Sequence, residues 1–111
     1  MTVKYNPNDM WLRRWTSADV LVELEEGVKP EDIAAFSLVV YQAGNQVLDK
    51  PLFTEHDDKT LLVKITATET QRLKVNERPQ TQVRYKTKDN EQYATDIFEF
   101  VVKDVLKDGT L

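Results

Sequence analysis

The chain has 111 residues and a net charge of −4 at neutral pH, and 31% of its residues are charged. Val, Leu, Ile and Phe together supply 31 residues, above the roughly one-fifth below which chains tend to stay disordered, so one globular domain with a core is expected. No apolar run approaches the roughly 18–20 residues of a membrane helix, and no apolar leader segment is expected at the N-terminus. The absence of cysteine excludes disulfides, a thiol nucleophile and a Cys-based zinc site. The acidic balance argues against a protein that coats nucleic acid.

Valine, isoleucine and threonine number 27 of 111, a composition that favours pleated strands over helices. Residues 1–17 read as an N-terminal arm or first edge strand. Val20, Val22 and Leu24 then alternate with Asp19 and Glu23, the period-2 pattern of a half-buried strand that Gly27 ends. Lys29–Ala35 fits a short helical turn or a loop, with Pro30 suited to a first helical position. Phe36–Tyr41 is apolar on both faces, which places it centrally. Ala43-Gly44-Asn45 is a turn signal, so Phe36–Asp49 reads as a hairpin. Pro51 interrupts, an extended piece is expected at Leu52–Glu55, and Glu55-His56-Asp57-Asp58 reads as a polar turn.

Thr60–Thr66 is the next strand, with Leu61, Val63 and Ile65 on one face. The period then changes. Thr66 and Glu69 have capping-box spacing, so a one- or two-turn helix is expected, docked by Leu73 or Val75. Thr81, Val83 and Tyr85 alternate with Gln80, Gln82, Arg84 and Lys86. A turn follows at Lys88–Glu91, where Asn90 suits the left-handed conformation. Gln92–Lys103 reads as one long last strand, pairing its Phe98–Val102 part with Val83–Tyr85. Residues 107–111 are expected to fray.

About seven short strands with regular turn signals predict an all-β fold. The preferred architecture is a single Ig-like antiparallel β-sandwich over residues 18–106, with one short helical crossover.

Catalytic parts are scarce. His56 is the single histidine, and neither Ser17 nor Ser37 sits in a nucleophile-elbow context. Glu55–Asp58 has metal-ligand residue types but lacks the glycine of a calcium loop. Glu23, Glu25 and Glu26 fit a solvated edge that discourages sheet-to-sheet aggregation. Three scattered glycines cannot form a phosphate loop. Neither an enzyme, a cofactor nor a metal is expected. Met10-Trp11-Leu12-Arg13-Arg14-Trp15 stands out, because Trp and Arg dominate binding hot spots. Trp11, Arg13, Arg14 and Trp15 are therefore the candidate protein interface. Two other roles stay open: a tryptophan lid with an arginine paired to Glu25 or Glu26, or stacking on a base or sugar.

Several segments carry a family pattern. Ala18–Leu24 and Phe36–Gln42 form its first strands, Ile65–Leu73 its strand and capped turn, and Gln80–Tyr85 its polar–apolar strand. Asp89–Ile97 forms its hairpin, and Val101–Gly109 its closing strand and tail. Over residues 18–109 the chain resembles small tail and baseplate-region structural proteins of phages and prophages of Gram-positive bacteria, and is similar to the N-terminal domain of phage baseplate upper proteins. It departs from the pattern at Asn90, where glycine is usual. The resemblance implies a non-enzymatic assembly module that is made in the bacterial host cytoplasm and becomes a virion component. Its partners would be other virion or tail proteins and further copies of itself, with no nucleic acid or membrane involved. The alternative is a carbohydrate-binding β-sandwich module, for which tryptophan and tyrosine would supply stacking faces.

Overall fold

A computed structural model of the chain describes residues 2–5 and 11–106. In chain order the strands are β1 (Thr2–Tyr5), β2 (Trp11–Arg13), β3 (Ala18–Glu23), β4 (Ile33–Gln42), β5 (Asn45–Lys50), β6 (Thr54–Asp57) and β7 (Thr60–Ile65). A short helix α1 (Ala67–Thr70) follows, then β8 (Gln80–Thr87), β9 (Gln92–Ala94), β10 (Phe98–Glu99) and β11 (Val101–Lys103). The fold is all-β. Where about seven strands were expected, the described residues form more and shorter ones, in three sheets.

The first sheet is antiparallel, in the order β1-β3-β7-β6. The second runs β10-β8-β4-β5, with β9 also paired to β8. A third, two-stranded sheet joins β2 and β11 in parallel, with Trp11, Leu12 and Arg13 opposite Val101, Val102 and Lys103. Residues 1–17 were expected as an arm or first edge strand; their described strands hold two positions, β1 at an edge of the first sheet and β2 beside β11. The fraying expected of residues 107–111 lies outside the described residues.

The two larger sheets share one core. Val20, Val22, Leu61, Val63 and Ile65 from the first sheet cluster with Phe36, Leu38, Val40, Val83 and Tyr85 from the second. Each is a β-branched, Leu or aromatic residue at every second strand position, so the sequence alternation maps directly onto burial. Each such side chain contributes about 1.5–3 kcal/mol through burial. Tyr5 adds a polar link across the core. Its ring stacks on Phe100 at 4.3 Å, and its hydroxyl hydrogen-bonds the Thr81 hydroxyl of β8.

The expected capping box is present. The Thr66 hydroxyl accepts from Glu69 N at 3.2 Å, and the Glu69 carboxylate accepts from Thr66 N at 2.9 Å. Burial pushes the Glu69 carboxyl up, but bonds from Lys50 and Thr66 outweigh it and hold it below its ordinary value. Leu73, 1% exposed, docks the helix, while Val75 stays outside.

Three segments differ from the sequence reading. Glu55, His56 and Asp57 lie in edge strand β6, so the turn is shorter than expected and sits at Asp58-Lys59. Lys59 N donates to the Asp57 carboxylate at 2.9 Å, which stabilises that tighter turn. β4 begins at Ile33, directly after a 3-10 turn at Pro30–Asp32. The expected long strand over Gln92–Lys103 is broken into β9, β10 and β11. Thr95 causes the first break: its buried hydroxyl accepts from Val83 N at 3.1 Å and donates to Asp96 O at 2.9 Å. Phe98 and Glu99 then pair with Thr81 and Gln80, while Arg84, Tyr85 and Lys86 pair with β9. Val101 and Val102 leave the second sheet altogether for β2.

Candidate interaction surfaces

The Trp/Arg segment forms a clamp onto the C-terminal end of the described chain. Arg14 N donates to Lys103 O at 2.8 Å. The Arg14 guanidinium reaches the Asp104 carboxylate and Gln71 O, each at 3.2 Å, and Arg13 donates to Asp104 O at 2.8 Å. The arginine pairing weighed for Glu25 or Glu26 is thus made to Asp104 instead. Parallel pairing of β2 with β11 puts Asp104 one residue beyond Lys103, within reach of both arginines.

Trp11 is half-buried on this small sheet, with the Lys103 ammonium 4.3 Å and the Arg13 guanidinium 5.8 Å from its ring centre. Two cations over one indole form an aromatic–cation surface. Trp15 closes the turn after β2 at φ +65°, an uncommon conformation for a bulky residue. Its indole N–H is shielded from water and has no hydrogen-bond partner among the described residues. The four sequence-selected residues therefore sit together, but their roles divide. Arg14 is committed to the clamp. Arg13 is exposed while bonded to Asp104, Trp11 is half-buried with two cations over its ring, and Trp15 packs under strain.

A second surface was not singled out from the sequence. On β4, Ser37, Val39 and Tyr41 point away from the buried Phe36, Leu38 and Val40; on β8, Gln80, Gln82, Arg84 and Lys86 point away from Thr81, Val83 and Tyr85. Together with β5 and β9 they form a concavity of about 940 Å³ on the outer face of the second sheet. Its lining includes Arg84 and Lys86 and no carboxylate, although the whole chain is acidic. Only part of the signal was in the sequence, where β4 is apolar on both faces; that Val39 and a 41% exposed Tyr41 stand beside the β8 residues is seen only in the structure.

A scan against protein-family models finds no match to the chain, and a search of curated proteins finds none either.

The remaining chemistry-bearing residues are dispersed. His56 is exposed on β6, and the Ser37 hydroxyl is bonded to the Asp49 carboxylate at 2.9 Å. Glu23, Glu25, Glu26, Asp57 and Asp58 line an acidic hollow at the end of the first sheet. Among the described residues no three His, Asp or Glu side chains converge as metal ligands.

Proposed function

We propose that the chain is a non-enzymatic structural module of a phage or prophage tail or baseplate, which acts through protein–protein contacts as a homo-oligomeric virion component. In this reading it is made in the host cytoplasm, and its two larger sheets are the halves of an Ig-like sandwich. The family pattern over residues 18–109 motivates the reading. The observation that carries it is the Trp11 surface: an indole, Arg13 and Lys103 held together by a clamp that joins β2 to β11 and Asp104. Trp and Arg on a rigid element make an anchor suited to a partner protein. Mass spectrometry of purified particles from the host strain tests it. Detection of the chain in stoichiometric amount is expected, and Trp11→Ala is expected to reduce its incorporation. Particles that lack the chain would overturn the reading.

A further inference from the structure

The concave outer face of the second sheet has a chemistry that the tail-module reading does not use. Arg84 is exposed and Lys86 half-buried, two residues apart on β8 and therefore on one face about 7 Å apart along the strand. Neither is ion-paired among the described residues. Beside them stand the amides of Gln80, Gln82 and Gln92 and the phenol of Tyr41. Gln82 spends its Nε2 on Thr95 O at 2.9 Å, which fixes the amide. At the rim, Asp49 is held by Ser37.

The backbone of this face is consumed in the ladders that join β4 to β5 and β8, and β8 to β9 and β10. A peptide recognised by strand addition needs a free edge, with main-chain groups to pair. A ligand lying across this face is read by side chains alone. Amides and a phenol, spaced at every second residue over an aliphatic floor that includes Val39 and Ala94, match a ligand that carries hydroxyls on every monomer and apolar C–H faces between them. The two cations match negative charge on that ligand, with Asp49 beside Ser37 and Glu99 opposite Gln80 as the carboxylates at the margin of the face.

We infer that the outer face of the β5-β4-β8-β9 sheet is a binding site for a linear acidic polysaccharide. Arg84 and Lys86 bind its carboxylates or other anionic groups, Gln80 and Gln92 bond its hydroxyls, and Tyr41 stacks on a sugar face. The site is separate from the Trp11 surface, so its failure would leave the tail-module reading standing.

The test uses the purified full chain, with oligogalacturonate as the acidic glycan, dextran oligomers as the neutral glycan and poly-L-glutamate as the acidic peptide. Calorimetric titration is combined with amide chemical-shift mapping by NMR. Oligogalacturonate is expected to bind and to shift amides of β4, β8 and β9. Dextran is expected to bind at least tenfold more weakly, and poly-L-glutamate not to shift that face. Arg84→Ala with Lys86→Ala, and separately Tyr41→Ala, are each expected to weaken binding at least tenfold with an unchanged melting temperature. Lys59→Ala, at the acidic hollow, is expected to leave binding unchanged. Absence of oligogalacturonate binding, equal binding of poly-L-glutamate, shifts confined to other surfaces, or full binding by the Arg84/Lys86 double variant would each overturn the proposal.

Discussion

Tyr5 and Thr81, 76 residues apart in the chain, share a hydrogen bond inside the core. Both are fully buried, so the bond ties edge strand β1 of the first sheet to β8 of the second where water cannot substitute for either partner. Removing one hydroxyl orphans the other. Tyr5→Phe is expected to cost about 1–3 kcal/mol, the usual penalty for a stranded buried polar group. Adding Thr81→Val to that variant is expected to recover part of the loss. Urea denaturation of the two single variants and the double variant measures the coupling. Strictly additive losses would show that the bond contributes nothing.

The same phenol predicts an alkaline limit. Burial pushes the Tyr5 hydroxyl well above its ordinary value of 10, and the Thr81 bond offsets only part of that. Above pH 10 the unfolded chain releases this proton and the folded chain keeps it. The contribution is therefore complete below the unfolded value, and stability falls as pH rises from there toward the folded value, by at most about 1.4 kcal/mol per pH unit from this group. Thermal melts from pH 8 to 12 are expected to show a steeper alkaline fall for the native chain than for Tyr5→Phe.

Gln42 is a buried amide at the end of β4 that holds the loop before β8. Its Nε2 donates to Lys74 O at 2.7 Å and Glu77 O at 2.9 Å, and its Oε1 accepts from Lys74 N at 2.8 Å. Gln42→Leu keeps the bulk and loses all three bonds. At about 0.5–1.5 kcal/mol each, a loss of about 2–4 kcal/mol is expected. Hydrogen exchange at Lys74 N is expected to accelerate well beyond that at the core amides of β4. Unchanged protection there would show that the loop holds without the amide.

Gln42 also marks the limit of what the sequence discloses. The strands with strict alternation, Val20–Leu24 and Leu61–Ile65, were legible because one period decides both the element and its buried face. The Thr66–Glu69 cap was legible because its bonds are local. The break at Thr95 and the parallel pairing of β2 with β11 were not, because both depend on partners far away in the chain: Val83 for Thr95, and Val101–Lys103 for β2. A run such as Gln92–Lys103 alternates well enough to suggest one strand, and local pattern cannot show that it serves two sheets. The Trp/Arg cluster was visible as composition, but its commitment to Asp104 was not. The outer sheet face was hidden for the opposite reason: Gln80, Gln82, Arg84 and Lys86 look like any solvated face until β4 sets Tyr41 and Val39 beside them.

The end clamp predicts a local rather than a global weakness. Arg14 combines a half-exposed ion pair to Asp104 with a bond to Gln71 O. Exposed pairs contribute only about 0–1 kcal/mol, so Asp104→Asn is expected to change overall stability little. Arg14→Ala also strips the Gln71 bond and is expected to speed hydrogen exchange in β11, at Val101–Lys103, while β3 and β7 stay protected. Mass-spectrometric exchange of the two variants distinguishes these outcomes. Equal exchange in β11 for Arg14→Ala and the native chain would show that the parallel pair stands without the clamp.

The β4–β5 turn offers a gain in stability. Ala43 and Gly44 both take positive φ, +53° and +77°, the two-residue geometry whose twist matches that of the flanking strands. Glycine adopts it freely, whereas alanine in the left-handed region is strained by about 1–2 kcal/mol. No Cβ clash limits Gly44, so the strain of this turn lies in the conformation of Ala43. Asparagine tolerates the left-handed region better, and Asn-Gly is the preferred pair for such a turn. The Asn45 amide, which donates to Ala43 O at 3.3 Å, bonds the backbone and survives the change. Ala43→Asn is therefore expected to stabilise the fold by about 0.5–1 kcal/mol, and Ala43→Val, β-branched at the same φ, to destabilise it by more than that. Chemical denaturation of the two variants is expected to move the midpoint in opposite directions. A loss of stability in Ala43→Asn would show that the strain at this turn is relieved elsewhere in the hairpin.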